Sequence, residues 1–203
     1  MSFDPIISIH MGGLELLMGH EIAKADSVFI SAPQPVEQNL SVSRDGNAAA
    51  LWIAPDEVSE NHRIACIKAR LFTLIVPINS PLPCSLHPDQ QHLKEFGLTH
   101  GIEIICIVTT ETSSAGNRYQ TWVFAPVGGY LEDPATGSGN TAPGYYLLKE
   151  GTWDGHMIAI ELGKVQDRPN IIRIVSDASK VQHSVFFCSN ALVLIEGKYL
   201  LYS

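Results

Sequence analysis

Residues 118–151 read RYQTWVFAPVGGYLEDPATGSGNTAPGYYLLKEG and contain a strand pattern, a glycine-rich turn and a helix pattern in succession. The β-branched and aromatic run at 119–125 predicts a strand that ends in a proline and two glycines. Pro134 biases the preceding residue toward an extended conformation, so we expect the turn to display the carboxylate of Asp133. The segment 138–150 then predicts a helix.

The turn before this helix has the composition of an anion-binding site. Small residues at 135–139 let a ligand approach the backbone, and the N–H groups of a first helical turn attract negative charge. A substrate carboxylate at Gly137 and Ser138, beside the Asp133 carboxyl, would form a site for proton transfer. The spacing alone favours the alternative, which is an ordinary helix start with a threonine or serine cap.

Short β-branched and aromatic runs between turn residues dominate the rest of the chain. They predict strands at 5–10, 14–17, 27–31, 64–67, 71–76, 102–109, 119–125, 157–162, 171–176, 183–188, 191–196 and 199–202. Further helices are predicted at 88–96, ending at Gly97, and more weakly at 48–53. Many strands and few helices, without a β-α-β rhythm, indicate an α+β protein with mostly antiparallel strands.

Composition excludes several classes of function. The net charge of −8 argues against a nucleic-acid or anionic-membrane partner. The four cysteines lack the paired spacing of a zinc site, and Cys106 and Cys188 stand in apolar runs where a thiol behaves as a small hydrophobe. The first ten residues lack the pattern of a signal peptide, so we expect a cytoplasmic protein.

Only 17% of the residues are charged, against about 25% in an ordinary soluble domain. Mean hydropathy is correspondingly high, at +0.10. We therefore expect some apolar surface of this chain to meet another chain.

The string Glu132-Asp133-Pro134-Ala135-Thr136-Gly137-Ser138, preceded by Phe124-x-Pro126, resembles the signature of the PhzF-like (phenazine biosynthesis-like) family. Ile160-Glu161-x-Gly163 with Arg168-Pro169, and the region 71–89, resemble other segments of that family. The resemblance implies a diaminopimelate-epimerase-like fold, in which each of two lobes is a barrel-like sheet wrapped around a central helix. It also implies isomerase chemistry that moves protons on small carboxylate substrates without a metal or an organic cofactor.

The resemblance assigns roles to individual residues. Asp133 would be the acidic catalytic residue of this lobe, and Thr136, Gly137 and Ser138 would bind the substrate carboxylate. Arg168 would be structural. The histidines receive no catalytic role: His20 is expected in a surface turn, His87 and His92 beside or on a surface helix, and His100 in a loop.

The chain also departs from the family pattern. It lacks the Ser-Glu-Thr-like segment with the family's catalytic glutamate and the Gly-His-Pro-type turn of the first lobe. Leu162 and Asn170 replace the family's glutamine and serine, and Pro143 predicts a distorted start of the helix after the turn. We therefore expect one complete lobe at 37–203 and remnant strands of the N-terminal lobe at 1–36.

These expectations lead to two functional hypotheses, beside a third alternative in which the chain is a remnant that folds but has no further function. The first is an N-terminally shortened PhzF-like isomerase, inactive or weakly active alone, whose cleft a homodimer partner or a separate chain completes. The second is a non-catalytic protein of the same fold that binds small anions or forms oligomers. In either case a lobe without its neighbouring lobe exposes an apolar surface, which predicts self-association.

Overall fold

The computed structural model describes residues 5–11, 14–19, 27–40, 42–80, 88–129, 131–133, 136–163, 169–177 and 184–190, with backbone alone for residue 138, residues 189–190 and the strand residues up to 28. Within these ranges eleven strands form one sheet, in the order β1-β2-β3-β11-β10-β9-β8-β7-β6-β5-β4. The strands are β1 Pro5–Met11, β2 Leu14–Gly19, β3 Ser27–Ser31, β4 Val36–Gln38, β5 Ala65–Lys68, β6 Phe72–Pro77, β7 Ile104–Thr109, β8 Tyr119–Phe124, β9 Ile158–Leu162, β10 Asn170–Asp177 and β11 Ser184–Asn190.

Neighbouring strands of the sheet are antiparallel except for two pairs, β6 with β7 and β8 with β9. The mostly antiparallel α+β prediction is therefore confirmed. The strands predicted at 191–196 and 199–202 lie outside the described residues. β4 was not predicted, because its three residues follow two prolines and show no strand pattern.

The sheet is strongly curved. Nine strands from β3 to β4 would span about 38 Å if they lay flat, because adjacent strands are about 4.8 Å apart. Only residues 32–35 connect β3 to β4, and five residue steps reach about 17 Å at most. The two ends of this nine-strand set must therefore approach one another, as they do in a barrel.

Three α-helices lie in the described part of the chain, namely α1 Arg44–Leu51, α2 Gln90–His100 and α3 Thr141–Lys149. α1 begins four residues before the predicted 48–53, because the Ser43 hydroxyl accepts a hydrogen bond from Gly46 N at 3.0 Å and caps the helix. It ends at Trp52, which has a left-handed backbone with φ of 57°.

The predicted end of α2 at Gly97 is wrong. α2 continues to His100 and ends at Gly101, whose φ of +68° suits glycine. A Cβ on Gly97 would lie 2.7 Å from the carbonyl oxygen of Ile102, so this glycine permits close packing inside the helix. His100, expected in a loop, is the last helical residue, and its ring centroid lies 4.8 Å from that of Phe96. The exposed position of His92 agrees with the prediction of a surface residue.

Both faces of the sheet from β5 to β8 are covered. Because successive strand residues point to opposite sides, each strand contributes side chains to both faces. On one face Ile75 and Cys106 pack against α3, together with side chains from β9, β10 and β11. On the other face Leu74 and Ile105 pack with residues of α1 and α2. Because strands from β5 round to β11 contribute to the α3 cluster, α3 is the central helix around which the sheet wraps, as the fold prediction required.

An ionic cluster fastens β4 to this arrangement. The Glu37 carboxylate pairs with both Arg63 and Lys149, and Arg63 Nε lies 2.7 Å from Glu150 Oε1. Hydrogen bonds from Arg63 and Lys149 hold the pKa of Glu37 below its usual value. The cluster thereby connects the edge strand to the end of α3.

The thiols of Cys106 and Cys188 are buried, as predicted, and burial raises the pKa of Cys188 to about 11. Among the described residues, no group of three or more His, Cys, Asp or Glu side chains is placed to hold a metal ion. None of the helices in the described part is long and apolar enough to cross a membrane. The division of the chain at residue 36 stays a prediction.

Candidate functional site

The chain doubles back after β8 and brings Asp133 beside the end of that strand. A 3-10 turn at Pro126–Gly128 follows β8, and Asp133 N then donates a hydrogen bond to Val123 O at 2.9 Å. Asp133 is half-buried. The carboxylate of the neighbouring Glu132 binds a tryptophan, since its Oε1 accepts a hydrogen bond from Trp122 Nε1 at 3.0 Å. The two adjacent acids therefore have different environments, and Pro134 lies outside the described residues.

The glycine-rich turn is closed by its own hydrogen bonds. Thr136 Oγ1 accepts from Gly139 N at 3.0 Å, and Asn140 N donates to Gly137 O at 3.1 Å. These contacts form a 3-10 turn at Ser138–Asn140, after which α3 begins. The Thr136 hydroxyl, 7% exposed as a residue, thus shapes the turn from inside.

The predicted helix start at residue 138 is therefore three residues early, and the expected distortion takes the form of this 3-10 turn. Pro143 is the third residue of α3. Its missing N–H costs little there, because the first N–H groups of an α-helix have no intrahelical partner.

A polar bracket, formed by Thr121, Asn140 and Thr136, fixes the turn to β8. Asn140 Nδ2 donates to Thr136 O at 3.0 Å, and Thr121 Oγ1 donates to Asn140 Oδ1 at 2.9 Å. Thr121 and Asn140 are fully buried. Hydrogen bonds between buried groups resist displacement by water, so the bracket holds the turn rigidly. Sequence reasoning missed Asn140 and Thr121, because nothing local shows that they meet.

Phe187 of β11 covers Gly137. A Cβ on Gly137 would lie 2.3 Å from two ring carbons of Phe187, so only glycine fits beneath the ring. The ring is partly buried against the α3 cluster. Phe187 is a further site residue that sequence reasoning missed, because its contact with Gly137 joins residues 50 positions apart in the chain.

We expect Gly137→Ala to destabilise the protein by about 1–3 kcal/mol, because the added methyl group displaces the Phe187 ring. Urea unfolding measures the effect. Gly116→Ala is the matched control, since a Cβ there would meet only Ser114 Oγ at 4.0 Å, and it should change stability by less than about 0.5 kcal/mol. In a Phe187→Leu background the cost of Gly137→Ala should fall. An equal cost in both backgrounds would show that the ring is not responsible.

The segment with the second family resemblance lies next to the bracket. The Glu161 carboxylate is fully buried and accepts hydrogen bonds from Ser113 N, Ser114 N and Asn117 Nδ2 at 2.9, 3.0 and 2.7 Å. Burial alone raises the pKa of Glu161, but these hydrogen bonds outweigh it and leave the pKa below its usual value. The carbonyl of Glu161 lies 3.4 Å from Thr121 Oγ1.

The structure thus places Asp133 and the turn at residues 136–140 against Val123 near the end of β8, and Gly137 beneath Phe187 of β11. Ser138 is the next residue, and only its backbone is described. Arg168, His20 and His87 lie outside the described residues, so the predictions for them stay predictions. Leu162 is buried in the core cluster around α3.

Comparisons with known proteins show the family and the fold of this chain. The family model described as phenazine biosynthesis-like protein, PhzC-PhzF, matches residues 6–197. The trans-2,3-dihydro-3-hydroxyanthranilate isomerase of Pseudomonas chlororaphis is 33% identical over 89 residues, which are 43% of this chain and 29% of that protein.

Solved structures show the same fold. A PhzF-family phenazine biosynthesis protein from Bacillus anthracis superposes with a TM-score of 0.74 at 16% identity, over 91% of this chain and 64% of that one. A predicted epimerase from Pseudomonas aeruginosa superposes with a TM-score of 0.68 at 15% identity, over 96% and 66% of the two chains. The chain therefore spans about two thirds of these structures and matches less than a third of the curated isomerase. Since the family model matches nearly the whole sequence and the fold agrees, this chain belongs to the phenazine biosynthesis-like (PhzC-PhzF) protein family.

Proposed function

We propose that this chain provides one catalytic carboxyl group and the turn that binds the substrate carboxylate in an isomerase site. The reaction is a proton shift on a small carboxylate substrate, without metal or organic cofactor. Asp133 transfers the proton, and the turn of Thr136, Gly137 and Ser138 binds the substrate carboxylate. The named activity of the curated relative supports this reaction type.

The polar bracket is the observation that carries the proposal. An anion-binding turn must keep its N–H groups aimed at the ligand before the ligand arrives. Thr136 and the carbonyl of Gly137 already engage the amides of Gly139 and Asn140. The substrate carboxylate therefore accepts hydrogen bonds from the backbone N–H groups of Gly137 and Ser138.

The same residues account for an isomerisation by two successive proton transfers. Asp133 as carboxylate removes a proton from a substrate carbon next to a double bond. The electron pair of the broken C–H bond forms a new double bond to the adjacent carbon, and the electrons of the original double bond move to its far carbon. A proton then bonds to that far carbon, so the product is an isomer of the substrate. N–H groups at the substrate carboxylate stabilise the extra negative charge that develops between the two proton transfers.

A proton shift of this kind is served best by two groups, one on each side of the substrate. We propose that a second copy of this chain or a separate chain supplies the other group. The low charged fraction and two exposed apolar side chains, Trp52 and Leu98, support association. We also propose a cytoplasmic location, which suits the free thiols of Cys66, Cys106 and Cys188.

Deuterium exchange tests the proposal. The protein is incubated with trans-2,3-dihydro-3-hydroxyanthranilate and other small cyclic carboxylates in D₂O containing a chelator, and proton NMR follows exchange and double-bond movement. We expect slow exchange. If two chains form one site, the exchange rate per chain should increase with protein concentration.

Thermal shift with the same compounds separates the two hypotheses. A carboxylate at 100 times its dissociation constant stabilises the protein by about 2.7 kcal/mol. Stabilisation without exchange at any concentration would rule out an isomerase formed by this chain alone or by two copies of it, and would favour the anion-binding protein. Absence of stabilisation by every carboxylate would reject the binding turn itself.

A further inference from the structure

A second cleft, of about 150 Å³, lies at the opposite end of α3 from the candidate site. It is formed where the parallel strands β6 and β7 end, at Pro77 and Thr109, and where Tyr146 and Leu147 stand in α3. The glycine-rich turn precedes Thr141, so about two turns of helix, roughly 9 Å, separate the two places.

Ser59 gives this cleft an unmatched hydrogen-bonding group. It is 5% exposed, and its backbone N–H is used by Pro77 O at 2.8 Å. Its hydroxyl oxygen is buried in the cleft wall and makes no hydrogen bond to the described residues. A buried polar group without a partner is costly, so a ligand that engages it gains affinity. By contrast, the hydroxyls of Tyr119 and Tyr146 already donate to carbonyls, at 2.9 and 3.0 Å.

The rest of the lining indicates which ligand fits. Among the described residues that line it, the polar side chains are hydroxyls, amides and one imidazole, with no carboxylate, ammonium or guanidinium group. His62, Asn79 and Thr110 line the same cleft as Ser59. A charged ligand would lose its hydration without gaining an opposite charge, whereas a neutral one that donates and accepts hydrogen bonds loses little. The space holds several water molecules, hence a small organic molecule.

We propose that this cleft binds a small uncharged molecule through a carboxamide or hydroxyl group that pairs with the Ser59 hydroxyl. The site is separate from the carboxylate-binding turn and independent of any isomerase activity.

Acetamide and acetate form a matched pair of probes, because they have nearly the same shape and differ in charge. ¹⁵N-labelled full chain is titrated with each and followed by ¹H–¹⁵N NMR. We expect acetamide to shift the backbone signals of Ser59, His62 and Thr110 in a saturable manner, and acetate to leave these three signals unmoved. Glycerol extends the test to hydroxyl ligands.

Two serine variants complete the experiment. Ser59→Ala should weaken acetamide binding about tenfold, the equivalent of one hydrogen bond. Ser80→Ala removes another buried hydroxyl without a partner, outside the cleft lining, and should leave binding unchanged. The proposal fails if acetamide causes no saturable shift at these residues, if acetate binds there equally well, or if Ser59→Ala binds like the unaltered chain.

Discussion

Asp133→Asn is expected to slow deuterium exchange into the bound carboxylate substrate by about 100-fold or more, which is the usual contribution of a general acid or base. The amide has nearly the shape of the carboxylate but does not accept a proton at neutral pH. The fold should survive, because the contact that places this residue beside β8 runs from its backbone N–H to Val123 O. Initial exchange rates by NMR, with thermal shift to verify carboxylate binding, measure the effect.

Two other carboxylates serve as controls for this experiment. Glu132→Gln changes the adjacent residue but keeps an oxygen that accepts the hydrogen bond from Trp122. Asp154→Asn changes an exposed acid in a turn, where its carboxylate faces His156. Both variants should catalyse deuterium exchange at the same rate as the unaltered chain. Exchange by Asp133→Asn at that same rate would remove Asp133 from the mechanism while leaving the binding turn in place.

Much of this fold follows from local sequence. Strands buried on both faces, such as β7 with ICIV at 105–108, have a composition that predicts them directly. The end of β8 and the turn before α3 are also local features, because proline and glycine restrict the backbone wherever they occur. The motif that resembles the PhzF-like family lies in this same turn, which is why the candidate residues were found from sequence.

The errors arose where a distant contact decides the structure. Gly97 reads as a helix end, but the helix continues to His100, and a Cβ on Gly97 would lie 3.0 Å from Cγ2 of Val127, which follows β8. β4 has no strand pattern, and its position depends on pairing with β5 and on the ion pairs of Glu37. Short-range patterns carry no information about either contact.

The same limit applies to the candidate site. Asp133 and Gly137 were found because they belong to one short string, whereas their supports come from elsewhere in the chain. Thr121 precedes the turn by fifteen residues, and Phe187 follows it by fifty. The residues that hold the site in shape therefore became visible only when strand order placed β8 and β11 around α3.

Glu161→Ala should destabilise the protein more than any other single change considered above, by about 3 kcal/mol. The substitution leaves the N–H groups of Ser113 and Ser114 and the amide of Asn117 without their acceptor. It also leaves a cavity where the buried side chain stood. Glu111→Ala, in the same connection but exposed, is the control and should cost less than about 0.5 kcal/mol. Urea unfolding at pH 7 measures both variants.

Glu161→Gln separates charge from packing through its pH dependence. Because the pKa of Glu161 is lower in the folded protein than in the unfolded chain, its charge stabilises the fold fully above the unfolded pKa of about 4.3. That contribution disappears as the pH falls through the lower, folded pKa. The stability difference between the unaltered chain and Glu161→Gln should therefore be constant from pH 7 to about pH 5 and shrink below about pH 4. A difference that stays constant down to pH 3 would show that the carboxylate charge contributes nothing and that Glu161 stabilises the fold by packing alone.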